Sequence, residues 1–209
     1  MTKIILSIFT AIIVIGIIAA GPISSNVEQT KYQIIESYGN IEIREYTPQI
    51  VAEALISGNR KDALKQGFRT IADYIFGNNQ SANKIAMTEP VTQQTSTRIA
   101  MTAPVTQKIE GNKWLIRFIM PAEYNLESLP KPNNKDVIIK QIKSKKFATI
   151  RFSGISSDSN LAKNTEKLQN FTRKNQIQTI SEPTYSFFNP PWTLPFLRRN
   201  EVMIEIITN

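Results

Sequence analysis

The chain contains neither cysteine nor histidine. Without cysteine there are no disulfides, no zinc–thiolate sites and no thiol nucleophile. Without histidine the commonest metal ligand and the commonest general base are missing, and no metal-ligand set is assigned. Acid–base chemistry would fall to carboxylates, lysines or tyrosines alone. Tyr46, Glu45, Glu53 and Glu89 are such groups, but no spacing rule gathers them around one cavity. The expectation is a binding protein and not an enzyme.

Negative charge is the scarcer sign. Seventeen acidic residues face 25 lysines and arginines, a net charge of +8 over 209 residues. The excess is dispersed over Arg60-Lys61, Lys143 to Lys146, Arg173-Lys174 and Arg198-Arg199. Such a surface suits anions in general, whether carboxylates, phosphates or lipid headgroups. No zinc-finger or RNA-binding signature accompanies it, which argues against nucleic acid as a partner.

Long apolar runs are confined to one place. A short positive start, Met1 to Lys3, precedes seventeen nearly unbroken apolar residues, Ile4 to Ala20. That pattern fits a secretory signal, with Ala19-Ala20-Gly21 as a cleavage site. It also reaches the lower limit of a membrane span. Retention of Lys3 on the cytoplasmic side sends the rest across. Residues 1–25 are therefore expected to be a signal peptide or membrane anchor plus a short tether. Residues 26–209 are expected to be an exported, periplasmic domain, either soluble after cleavage or anchored in the cytoplasmic membrane.

What the chain does have is repetition. Lys84-Ile-Ala-Met-Thr-Glu-Pro-Val-Thr-Gln-Gln94 returns as Arg98-Ile-Ala-Met-Thr-Ala-Pro-Val-Thr-Gln-Lys108, differing at three of eleven positions. The period is too short for a solenoid. Alternation at period two, with the polar Thr95-Ser96-Thr97 between the copies, predicts an antiparallel hairpin. Pro90 and Pro104 belong at an edge, bulge or strand end. Met87 and Met101 read either as core fillers or as the lining of a surface for a flat apolar ligand.

A second repeat is fainter and longer. Val51-Ala-Glu-Ala-Leu-Ile-Ser-Gly58 aligns with Phe147-Ala-Thr-Ile-Arg-Phe-Ser-Gly154 at an offset of 96, and a capped helix follows each. The first helix opens at Asn59 with Asp62 in a capping-box arrangement. Its apolar stripe is Leu64, Phe68, Ile71, Ala72 and Ile75, and Gly77 suits the residue after its C-cap. The second runs from about Asp158 to Arg173. Strands are expected at Tyr32–Glu36, Ile41–Tyr46, Ile50–Ile56, Trp114–Met120, Val137–Ile142 and Phe147–Phe152, with a last one closing the chain at 201–206. The fold class is α+β: duplicated β-α-β-β units forming a distorted antiparallel β-barrel with two outer helices. The aromatic, proline-rich stretch from Tyr185 to Phe196 reads as a stiff loop lidding a barrel end.

The two Ile-Ala-Met-Thr-x-Pro-Val segments, at 85–91 and 99–105, resemble the SOUL haem-binding protein family. So does Asn189-Pro-Pro-Trp-Thr-x-Pro-Phe-x-Arg-Arg-Asn-Glu-Val202. The resemblance covers about residues 32–207. It implies a duplicated barrel and binding of haem or another tetrapyrrole at a shallow apolar groove beside a helix. One departure matters: some members are linked to an axial histidine, and this chain has none. Axial ligation would fall to Met87, Met101, a tyrosine or a lysine, since methionine and tyrosine are known haem ligands. Lys65 and Arg69 on the first helix, with Lys84 and Arg98 at the starts of the repeats, are the cations expected to pair with propionates. The alternative is a different amphipathic small molecule, or a protein partner meeting the aromatic tail. Membrane association is expected only through residues 4–20.

Overall fold

The computed structural model describes residues 27–81 and 96–207. In chain order the strands are β1 (Glu28–Gln29), β2 (Tyr32–Tyr38), β3 (Ile41–Tyr46), β4 (Gln49–Ile56), β5 (Asn79–Gln80), β6 (Thr102–Ala103) and β7 (Val105–Glu110). They continue with β8 (Lys113–Ile119), β9 (Lys131–Pro132), β10 (Ile138–Ile142), β11 (Lys145–Phe152), β12 (Thr184–Phe187) and β13 (Asn200–Glu205). The helices are α1 (Arg60–Ile75) and α2 (Asp158–Lys174). Nine strands form one antiparallel sheet in the order β10-β4-β8-β7-β12-β13-β11-β3-β2.

That order is a mirror about the β7–β12 pair. β4-α1-β7-β8 on one side matches β11-α2-β12-β13 on the other, so the α+β duplication holds. The equivalence extends to backbone detail. Gly58 and Gly154 end the matched strands at φ +106° and +102°, a conformation that glycine adopts without the steric penalty of a Cβ.

The sheet has to curl. β3 and β4 lie six places apart in it, yet only Thr47-Pro48 joins them. In a flat sheet they would be about 29 Å apart, whereas the steps from Tyr46 to Gln49 reach at most about 11 Å. β10 and β11 repeat the arrangement across Lys143-Ser144. One register also runs through both corners. Ile41 pairs with Ile150 and Tyr46 with Lys145; beyond the corner Gln49 pairs with Ile142 and Glu53 with Ile138. The two halves are therefore stitched by a single long two-stranded ladder, which rolls the sheet into the distorted barrel.

Each helix covers one face of one half. Ala52, Ala54, Ile56, Ile116 and Phe118 form the first core with Ala63, Ile71, Tyr74 and Ile75 of α1. Ile43, Ala148, Ile150, Val202 and Ile204 form the second with Leu161 and Leu168 of α2. Both predicted caps are present: Asn59 accepts the Asp62 amide at 3.0 Å, and Ser157 accepts that of Asn160 at 3.2 Å. The helix N-termini meet where Arg60 pairs with Asp158 at 2.5 Å, and the Arg60 hydrogen bond holds that carboxyl below its ordinary range.

Three expectations change. The buried face of α1 is Ala63, Gly67, Ile71, Ala72, Tyr74 and Ile75, so the expected stripe holds at Ile71, Ala72 and Ile75 but is turned toward Ala63 and Gly67 in the first half of the helix. Small residues let the helix sit close to β8: a Cβ on Gly67 would lie 2.4 Å from Ile116 Cγ1. Leu64 stays half-buried against the first core, while Phe68 moves to the flank. The expected hairpin between repeat copies also differs, because Arg98–Met101 is not strand. Thr102–Ala103 pairs in parallel with Glu28–Gln29, and β7 beyond Pro104 pairs with β8 and β12. The first copy, 84–94, lies outside the described residues. Finally, Thr184–Phe187, expected as the start of the aromatic loop, is the strand that joins the halves.

The aromatic loop after it is tied down by its own polar residues. Asn189 accepts the Arg199 amide at 2.7 Å, Arg198 donates to the Thr193 carbonyl at 2.7 Å, and Gly154 donates to the Pro195 carbonyl at 2.9 Å. Phe188 is buried, but Trp192 and Phe196 are 74% and 68% exposed. These rings point outward, so they do not form the expected lid.

Candidate functional site

The site expected from the sequence lies along α1, and the shift of its buried row determines what is displayed there. Phe68 and Phe76 stand at i and i+8 along one side of the helix, with the buried Ala72 between them at i+4. Phe68 is 37% exposed while its ring rests 5.2 Å from that of Phe118. Phe76, at the C-cap, is 53% exposed. The adjoining row carries Lys65 and Arg69, both exposed, followed by Asp73, which accepts from Asn78 at 2.5 Å.

The second repeat copy is fastened to the end of this helix. Asn79, buried, donates to the carbonyls of Tyr74 and Thr97 at 2.8 Å each and accepts the Thr97 amide at 3.0 Å. Ile99 donates its amide to the Ile75 carbonyl at 2.8 Å and is itself buried. These ties place the Arg98 guanidinium over the Phe76 ring, 5.8 Å from its centroid, within cation–π range. Met101 is half-buried and packs against the first core cluster. Met120 and Met203 are buried, so Met101 is the one described methionine with substantial accessible surface.

Of the predicted site residues, then, Lys65, Arg69 and Arg98 flank one apolar row, and Met101 packs against the core beneath α1. Lys84 and Met87 lie outside the described residues, as does Glu89. Sequence reasoning placed Phe68 in the core and overlooked Phe76. The signal was present in the i, i+4, i+8 spacing of 68, 72 and 76, but which side of the helix faces the sheet depended on Gly67. The row is a surface feature. Two clefts among the described residues, of about 340 and 380 Å³, lie at the β3–β4 corner and at the C-terminus of α2. Neither includes Lys65, Arg69, Arg98 or Met101.

The acid–base candidates among the described residues do not converge on one cavity either. Glu53 is buried and paired with Arg117 at 2.9 Å and with Lys140. Tyr46 belongs to a separate network in the other half, around Arg44 and Glu201. Burial, joined by the Glu201 charge, pushes the Tyr46 phenol well above its ordinary range. Among the described residues no cluster of acidic side chains is arranged to hold a metal ion.

No curated protein matches the chain. Solved structures do. The C-terminal domain of EcmrR superposes with a TM-score of 0.58 at 15% identity, covering 85% of this chain and 99% of that one. A hydrolase from Listeria innocua gives 0.53 at 11%, covering 83% and 94%. An uncharacterized conserved protein from Listeria innocua gives 0.53 at 10%, covering 80% and 92%. At such identities the likeness is one of fold. The sequence profile described as SOUL heme-binding protein matches residues 27–205, which takes in every strand and both helices described. The chain belongs to the SOUL haem-binding protein family.

Proposed function

We propose that this chain binds haem or a related tetrapyrrole against the exposed flank of α1, and that it does so on the outer side of the cytoplasmic membrane. The observation that carries the reading is the Phe68–Phe76 row with cations at its borders. A tetrapyrrole offers a flat apolar face and carboxylates on its rim. An apolar row about 12 Å long, with Lys65 and Arg69 along one side and Arg98 over Phe76, is complementary to both. Burial of the ring against Phe68 and Phe76 supplies most of the affinity, at roughly 25 cal/mol per Å² of apolar surface removed from water. The cations orient the rim and add charge-assisted hydrogen bonds. Family membership supports the ligand class. Residues 4–20 support the location, as signal or as anchor.

Bound haem would bring its own redox and ligand chemistry; the protein's part is to bind and orient it and, through Met101, to offer a thioether. Haemin titration of the purified full chain in lipid nanodiscs, with protein-free nanodiscs as the blank, tests the reading. Saturation at one haemin per chain with a displaced Soret band supports it. Met101→Leu keeps the packing, so a change of band position in that variant identifies the sulfur as ligand. Absorbance that never saturates and matches the blank overturns haem binding.

A further inference from the structure

The exposed aromatic loop, residues 188–199, is not used by the α1 site. Its apolar display is large: Trp192, Phe196, Leu197 and the neighbouring Ile155 are all exposed. Ile155 belongs with the loop because Gly154, just before it, donates to the Pro195 carbonyl. The hydrogen bonds of Asn189, Arg198 and Gly154 keep the loop from collapsing, so the rings are held in water by a stiff frame. Exposed apolar groups on such a frame mark a surface built to be covered.

Where the chain joins the fold says by what. The described chain starts at Val27, and Gln29 accepts from Arg199 at 3.0 Å at the root of this loop. Arg199 also reaches the Tyr32 hydroxyl at 3.3 Å. Between the apolar run that ends at Ala20 and Val27 stand six residues, and the seven steps from Ala20 to Val27 reach at most about 25 Å. A bilayer holding residues 4–20 therefore lies within reach of the loop. The chemistry agrees. Tryptophan and phenylalanine beside cations is the composition of interfacial anchors. Among the described residues Arg198 donates to the Thr193 and Pro191 carbonyls and to no carboxylate, which leaves its charge for lipid phosphate. The net charge of +8 adds long-range attraction to an anionic surface.

We propose that loop 188–199 docks on the bilayer that holds the N-terminal segment, with Trp192, Phe196, Leu197 and Ile155 in the interfacial layer. This contact is separate from the span itself. It rests on residues 4–20 keeping the chain at the membrane, and it sets the orientation of the barrel on the lipid surface. Haem binding is not required for it.

The test uses the full chain reconstituted in phosphatidylcholine–phosphatidylglycerol vesicles, with and without acyl chains brominated near the headgroup. The protein has two tryptophans, and Trp114 packs against the first core. The difference in emission between wild type and Trp192→Phe therefore isolates Trp192. Bromination is expected to remove about half or more of that difference signal, the behaviour of a ring at interfacial depth. Equal emission in both vesicles overturns the proposal. So does a blue-shifted Trp192 signal that bromine leaves untouched, since that places the ring against protein, a second copy or another chain. Retention of the chain through alkaline carbonate washing reports residues 4–20 alone, so failure of the anchor and failure of the loop are read separately.

Discussion

Arg44 donates to Glu201 at 2.8 Å, and both side chains are shut away from water. The pair ties the first half of the sequence to its last strand. Glu201 also accepts from Arg199 at 2.9 Å, while Arg44 stacks over the Tyr32 ring at 4.2 Å and donates to Glu42 at 2.6 Å. Burial works to lower the Arg44 pKa, but the hydrogen bond and charge of Glu201 outweigh it and raise it above its ordinary value. The charges are thus held by one another. Removing Glu201 takes a buried carboxylate from both Arg44 and Arg199 and leaves Arg44 with Glu42 alone, so Glu201→Ala is expected to cost about 3–5 kcal/mol. Arg44→Met combined with Glu201→Leu should cost much less than the sum of the single changes. Urea unfolding of the four proteins measures the coupling.

Gly67→Ala carries a sign opposite to helix propensity. In an exposed helix interior the change would stabilise by about 1 kcal/mol. Here the new methyl would lie 2.7 Å from Ile116 Cβ as well as 2.4 Å from Cγ1. Cβ cannot swing away with a rotamer change. Overpacking of this kind costs about 1–3 kcal/mol, so the variant should melt lower than wild type. Ile116→Ala removes Cγ1 but keeps Cβ and opens the core, so the double variant should still be less stable than wild type, yet lose less than the sum of the two single changes. Thermal unfolding of the single and double variants decides it.

At the α1 flank, affinity and stability should come apart. Lys65 and Arg69 are exposed, and exposed ion pairs contribute up to about 1 kcal/mol each. Replacing both by alanine is expected to weaken haemin binding about three- to thirty-fold, with a shallower salt dependence and an unchanged melting temperature. Phe76→Ser should weaken binding at any salt concentration. Soret titrations at two ionic strengths separate the two kinds of loss.

Alkali should unfold this protein early. Burial raises the phenol pKa values of Tyr46 and Tyr74 above the ordinary tyrosine range, and Tyr74 donates to the Pro130 carbonyl at 2.8 Å. In the unfolded chain both phenols ionise near pH 10, about the free tyrosine value. Above that point the folded state binds more protons than the unfolded state, so stability is complete below it and falls as the pH rises. Phenolate absorbance should show these two tyrosines titrating together with loss of structure. Tyr74→Phe removes one contribution and should flatten the decline.

How much of this could be read in the residues depended on the range of the interaction. Caps are local, and Asn59 with Asp62 announced the first of them. Alternation located most strands to within a residue or two, and the 96-residue offset exposed the duplication because Ser-Gly at 57–58 and 153–154 meets the same backbone demand twice. Three things were set by distant partners. The face that α1 buries was fixed by the fit of Gly67 to Ile116. β12 is a short polar-and-aromatic strand whose identity comes from β7 and β13 on either side. The outward pose of Trp192 follows from loop hydrogen bonds that no hydropathy pattern encodes. At the site, Lys65, Arg69 and Arg98 were legible as cations beside an apolar row; that Phe68 and Phe76 form the visible part of that row was not.

The unbroken register from Ile41↔Ile150 to Glu53↔Ile138 bears on where such a chain comes from. Each half lends its first strand to the other: β3 lies on β11, and β10 lies on β4. A half-length chain with this layout would leave its own edge open until a second copy filled it, so its natural state is a strand-exchanged pair. Joining two such copies end to end makes the exchange intramolecular. It also removes the concentration dependence of a dimer and frees each half to change its sequence independently, which is why one helix can carry the candidate ligand face while the other does not.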